Sequence, residues 1–187
     1  MIEKFLKAKH WQIFILTFGL PFILQLILMP MSIENNPGTM IKYMPLIMIV
    51  FIAGFLGWLW SVSIGLQAKV PADVKMKVLK FKILLFIPLI YLPILFGFIE
   101  FLPFGEREIG QDLNATIKIM FFAAIFMFHI LSMFGIFYSL YFVAKTFKTV
   151  ELQREVTFSD FAGEFFMIWF FPIGIWVIQP KINKMIN

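Results

Sequence analysis

Cysteine is absent from this 187-residue sequence. Its absence excludes disulfides, thiolate metal sites and cysteine nucleophiles. Histidine is scarce, and His10 and His129 are too few for a histidine-based metal cluster. Charge is scarce too. Charged residues make up 14% of the chain, against about 25% in an ordinary soluble domain. A soluble surface of this size would be left uncovered. Three signatures of catalysis are also missing: G-x-x-x-x-G-K-[ST], H-E-x-x-H and G-x-S-x-G. The segment "ELQREV" holds Glu151, Arg154 and Glu155. It lacks the paired glutamates and distant histidines that an intramembrane metalloprotease needs. The expectation is a protein that is not an enzyme and that uses no metal and no cofactor. Polar–apolar alternation is lacking as well, which removes a transmembrane barrel.

What is present is apolar sequence. Hydrophobic residues make up 61% of the chain. Four continuous apolar runs, at 11–29, 43–65, 83–104 and 119–144, are close to the roughly 20 residues a membrane helix requires. The reading is an all-α integral membrane protein with four transmembrane helices, forming a single membrane domain over 1–187. The first run exceeds the 7–15-residue core of a signal peptide, and "MPMSIENNPG" offers no A-x-A cleavage pattern. It reads as an uncleaved anchor. The fourth run, at 1.5 Å per residue, is about 39 Å long and is expected to tilt or protrude.

The cations set the orientation. Lys4, Lys7 and Lys9 precede the first run. Lys69, Lys75, Lys77, Lys80 and Lys82 lie between the second and third, and Lys145, Lys148 and Arg154 follow the fourth. The intervening connections carry Lys42, Arg107 and Lys118. By the positive-inside rule the amino terminus is cytoplasmic. The net charge of +5 then reflects topology and anionic headgroups, and nucleic acid is not an expected partner. "VPADVKMKV" reads as a helix start, with Pro71 in the first turn and Asp73 at the positive helix end.

The segment "EFFMIWFFPIGIWVIQPKIN" poses the main question of topology. Residues 165–178 form 14 uncharged positions, about 21 Å of helix against a hydrocarbon core of about 30 Å. Pro172 and Gly174 sit in the middle, where a missing amide and a flexible backbone suit a break. The favoured reading is a re-entrant or interfacial helix–turn–helix over 160–183. It returns Lys181 and Lys184 to the cytoplasmic side, and thirteen cations then face three. A fifth span is the alternative. Thr157 and Asp160 resemble a capping box opening this segment.

Several residues invite a functional reading. His129 lies mid-run in the fourth segment, with Ser132, Gly135 and Ser139 toward one side. An ionisable group at that depth suggests a ligand- or proton-handling face. It also fits a neutral histidine bonded to another helix, with small residues allowing close packing. Gln25 and Glu100, near the outer ends of the first and third runs, are candidates for a small outward polar pocket. Glu100 also fits a side chain snorkelling to the interface. Ala53, Gly57, Ser61 and Gly65 repeat every four residues, a packing stripe. Trp58 and Trp60 suit an interfacial belt. Pro21, Pro45, Pro88, Pro93 and Pro172 interrupt apolar runs, as in transporters with broken helices, although prolines are also common in membrane helices without such a role. In the tail, Trp169 and Trp176 fit interfacial anchors at either end of the hairpin. With Glu164, Pro172, Gly174, Pro180, Asp160, Lys181 and Lys184 they form a candidate docking region for a partner.

Residues 57–91 contain G-W-x-x-S-x-x-x-G-L, and residues 151–183 contain W-F-F-P-I-G-I-W-x-I-Q-P-x-I-N. These two stretches resemble a group of small bacterial multi-pass membrane proteins without an assigned activity. The resemblance covers about a third of the chain. It implies the architecture and a bacterial inner-membrane location, and it carries over no catalytic residue. The expected function is an accessory, assembly or scaffold subunit, with a membrane-protein partner or a second copy and the lipid bilayer as surroundings. A small transporter using His129 and an immunity protein against a membrane-active toxin are the alternatives.

Overall fold

The computed structural model describes residues 2–34, 38–98 and 115–186. Every regular element among them is helical. Helix α1 (Ile2–Lys7) bends at Ala8–Lys9 into α2 (His10–Phe14), which passes through a π-turn (Ile15–Gly19) into α3 (Leu20–Glu34). Then come α4 (Gly38–Gly65), α5 (Val78–Phe98), α6 (Ala115–Leu152), α7 (Phe158–Trp169) and α8 (Phe171–Ile186). Four stretches are long and apolar enough to cross a membrane: His10–Pro30, Tyr43–Lys69, Val78–Leu95 and Ile119–Leu152. The protein is an all-α membrane protein.

The π-turn has a local cause. Pro21 offers no amide, and in α register its ring presses on the carbonyl of Thr17. Widening the turn, so that the Leu20 amide bonds the Ile15 carbonyl five residues back, moves that carbonyl aside. Elsewhere the prolines leave their helices unbroken. Helix α4 continues through Pro45, and α5 through Pro88 and Pro93. At these positions the prolines are of the kind that membrane helices carry without a break.

The connection from α4 to α5 also departs from expectation. Residues 71–77 form no helix, and α5 starts at Val78. A turn closed by the Val74 amide on the Pro71 carbonyl at 3.0 Å tucks Val74 into the core. Burying that one side chain early replaces the helical first turn. Helix α6 runs for 38 residues, about 57 Å, well past the apolar run that announced it.

Helices α7 and α8 form a hairpin. At 12 and 16 residues they are about 18 Å and 24 Å long, each short of the roughly 30 Å core. The chain reverses at Phe170, where φ is −86° and ψ is 54°. The Asn183 amide then donates to the Leu6 carbonyl at 2.7 Å, and the Lys69 ammonium donates to the Met185 carbonyl. The carboxyl end therefore sits beside α1 and the α4–α5 connection. The break is at Phe170, not at Pro172–Gly174. Pro172 is the second residue of α8, where a missing amide costs nothing. Gly174 serves close approach, because a Cβ there would strike the Met167 carbonyl.

Packing concentrates at this amino-terminal end. Trp58, Leu59, Val62 and Leu66 of α4 meet Phe81 of α5 and Phe142 and Phe147 of α6 in one buried cluster, with Ile175, Ile178 and Ile182 of α8 completing it. Phe81 and Phe142 stack at 4.7 Å. Trp58 is fully buried, so it is a core residue rather than part of an interfacial belt. The small-residue face of α4 is Gly54, Gly57, Ser61 and Gly65. A Cβ on Gly54 would lie 2.9 Å from Thr17 Cγ2, and Gly57 and Gly65 admit Phe5 and Leu6 of α1. Ala53 is exposed and belongs to another face, one residue of rotation away.

Candidate functional site

The residues that organise the molecule gather where the chain's two ends meet. A helix leaves its last carbonyls without partners, and α1 ends after only six residues. Gln179 answers this from α8. Its amide nitrogen lies 3.0, 3.1 and 2.9 Å from the carbonyls of Phe5, Leu6 and Ala8. Asn183, one turn on, donates to Leu6 at 2.7 Å and to Ala8 at 3.2 Å. The indole N–H of Trp58 donates to Gln179 Oε1 at 2.8 Å. Gln179 and Trp58 are both fully buried. The amide thus joins α1, α4 and α8 in an apolar setting, where each bond left unmade costs more than the same bond in water.

Beside this clamp lies an ionic cluster. Lys148 Nζ bonds Glu151 at 2.6 Å and Glu164 at 2.9 Å. Lys181 closes the group, 3.3 Å from Glu151 and 3.9 Å from Glu164. It ties α6 to both arms of the hairpin and supplies the counter-charge that buried Glu164 requires. At the entrance to α7, Thr157 caps the helix. Its amide donates to Asp160 Oδ2 at 2.7 Å, and Arg154 Nη2 pairs with Asp160 Oδ1 at 2.8 Å. The Arg154 bond first, and then the Thr157 bonds, hold the Asp160 carboxyl at about 2.

The structure places the tail residues in separate settings. Glu164 and Lys181 are engaged in the ionic cluster, and Asp160 is engaged by Arg154. Trp169 meets Phe137 edge-on at 4.8 Å. Phe137 lies fifteen residues before the end of α6 at Leu152, about 22 Å along the axis. Trp169 is therefore at the tip of the hairpin, beside the middle of α6. Trp176 packs on His10 at 4.5 Å and on Phe14 at 5.8 Å, nearer the amino-terminal end. Pro180 sits inside α8 between Gln179 and Lys181.

No family model, no curated protein and no solved structure matches the chain. The site is accordingly read from its own geometry.

In the membrane part of α6, Ser139 donates to the Gly135 carbonyl at 2.7 Å. Gly135 is pressed against the Leu84 carbonyl of α5, where a side chain would not fit. The Ser132 hydroxyl is buried without a hydrogen-bond partner among the described residues. Gly135 lies in the α5–α6 seam, and Ser132 and Ser139 are buried on the same helix. His129 does not join them. It is exposed, with its ring centre 6.0 Å from that of Tyr91 in an edge-to-face arrangement. Gln25 is exposed on α3, and Glu100 lies outside the described residues, so the outward polar pocket has no geometry here. Among the described residues no three histidine or carboxylate side chains gather as a metal site.

Sequence reasoning missed Gln179, Asn183 and α1. The signal was a lone amide after a long apolar run, followed by a second amide four residues later on the same helical face. Trp58 and Gln179, 121 residues apart in sequence, meet in one hydrogen bond.

Proposed function

We propose that this chain is a non-catalytic accessory subunit of a bacterial cytoplasmic-membrane complex, with both chain ends in the cytoplasm. Its partner is a membrane-spanning helix of another protein, seated on the outer half of α6. His129 carries this reading. It is exposed beside Phe126, Met127, Phe128, Ile130 and Met133, all exposed as well. Lipid tails cover phenylalanine and methionine as well as a protein does. They offer nothing to an imidazole, whose burial in hydrocarbon without a hydrogen bond is costly. A partner helix with a polar group at that depth satisfies it. A transporter reading asks for His129 inside the bundle, whereas its exposure turns it outward. The thirteen cations at the end shared by the termini support the orientation. The bacterial location rests on the resemblance of the two sequence stretches.

The test is a photo-crosslinking residue at Phe126 in growing cells, with and without His129→Leu. The expected result is one discrete crosslinked protein, lost in H129L and retained in H129Q. Crosslinks to a second copy of the chain would move the reading to a homo-oligomer. Crosslinks to lipid alone would overturn it.

A further inference from the structure

We propose that the groove between α1 and α2 binds one anionic phospholipid from the leaflet at the amino-terminal end. This goes beyond the partner on α6 and does not depend on it. The bend at Ala8–Lys9 opens a groove of about 490 Å³. Lys4, Lys7 and Gln12 line its polar side, and Phe5, Ile13 and Leu16 line its apolar side.

The two sides suit the two halves of one lipid. Lys7 is already paired with Glu3 at 2.6 Å. Lys4 has no ion pair among the described residues. Gln12 accepts the Lys9 amide through Oε1 at 2.8 Å, which leaves its NH2 group as a donor. A cation and an amide donor at the membrane surface match a phosphodiester. Glu3 is the one carboxylate in the first 33 residues, against Lys4, Lys7 and Lys9, so the surroundings favour net negative charge.

The apolar side continues downward. Leu16, Leu20, Ile23 and Ile27 follow at spacings of four, three and four, and all are exposed. Eleven residues cover about 16 Å, close to half of the roughly 30 Å hydrocarbon core. That is the length of track an acyl chain needs within one leaflet. A free phosphate uses the lysine but not this track. A zwitterionic lipid uses the track but brings no net charge to Lys4. The groove is also held open, because the bend that makes it is fixed by Gln179 and Asn183.

The experiment is native mass spectrometry of the delipidated full-length chain in mild detergent, titrated with phosphatidylglycerol, phosphatidylcholine of the same acyl chains, or inorganic phosphate. One phosphatidylglycerol per chain is expected, with Lys4→Ala weakening it about fivefold. Lys77→Ala, an equal change of charge in the α4–α5 connection, leaves it unaltered. Leu16→Trp fills the apolar wall with every lysine intact and also abolishes retention. Equal binding of phosphatidylcholine, equal losses in K4A and K77A, survival of binding in L16W, or displacement by inorganic phosphate would each overturn the proposal.

Discussion

Replacing Gln179 with leucine tests whether one amide holds the chain's two ends together. The substitution keeps roughly the same volume and removes every polar contact at the site. Leu6 and Ala8 keep Asn183 as a donor. The Phe5 carbonyl and the Trp58 indole N–H each have Gln179 as their partner and lose it. The buried indole N–H left unsatisfied costs about 1–3 kcal/mol and the part-buried Phe5 carbonyl costs less, for an expected loss of about 2–4 kcal/mol. Asn183→Ala orphans neither group, since Gln179 still reaches both carbonyls, and it costs about 1 kcal/mol. Trp58→Phe leaves Gln179 Oε1 without its donor. Because W58F and Q179L break the same bond, the double variant loses less than the two single losses combined, with coupling on the order of 1–2 kcal/mol. Unfolding in mixed micelles followed by circular dichroism measures these differences. Limited proteolysis after Lys7 and Lys9 reports directly on α1. The reasoning fails if N183A destabilises as much as Q179L, or if Q179L leaves α1 as protected as before.

The hairpin offers a contrasting pair. Gly174→Ala drives a methyl group into the Met167 carbonyl and is expected to cost about 3 kcal/mol or more. Gly163→Ala, with nothing within 4 Å of the added carbon, gains about 0.5–1 kcal/mol as an exposed helical glycine; thermal unfolding in detergent distinguishes the two. Asp160 is held at about 2 from an ordinary 3.8. Its folded pKa is depressed, so its contribution is full above the unfolded value and fades as pH falls from about 3.8 toward 2. Protease nicking of residues 153–157 should rise over that window in the native chain and stay independent of pH there in D160N. A reporter fused after Asn187 is expected to act on the same side as one fused before Met1. Opposite sides would show that α7 and α8 cross as a fifth span.

The spans were legible because long apolar runs admit few alternatives, and the hairpin was legible because fourteen apolar residues are too few to cross. The point of reversal was not. Pro172 and Gly174 looked like a break, yet proline is harmless in a helix's first turn, and glycine marks close contact as readily as a bend. The stripe on α4 was read with Ala53 where Gly54 belongs, since a four-residue repeat does not say which face meets a neighbour. His129 stood out in a run of phenylalanines, but its direction depends on how α5 crosses α6 at Gly135. Helix α1 was hidden because six residues with Glu3, Lys4 and Lys7 among them look like a charged leader. Their seat on Gly57 and Gly65 of α4 and the distant amides of α8 make them a packed element.

The meeting of Gln179 with α1 also sets an order in time. Leu6 and Gln179 are 173 residues apart, and at roughly 5–20 residues per second about 10–30 s pass between their additions to the chain. Through that interval α1 can already dock on α4, where Gly57 and Gly65 admit Phe5 and Leu6, while its last carbonyls wait for their amide donors. The clamp therefore closes late, on a helix that is already in place.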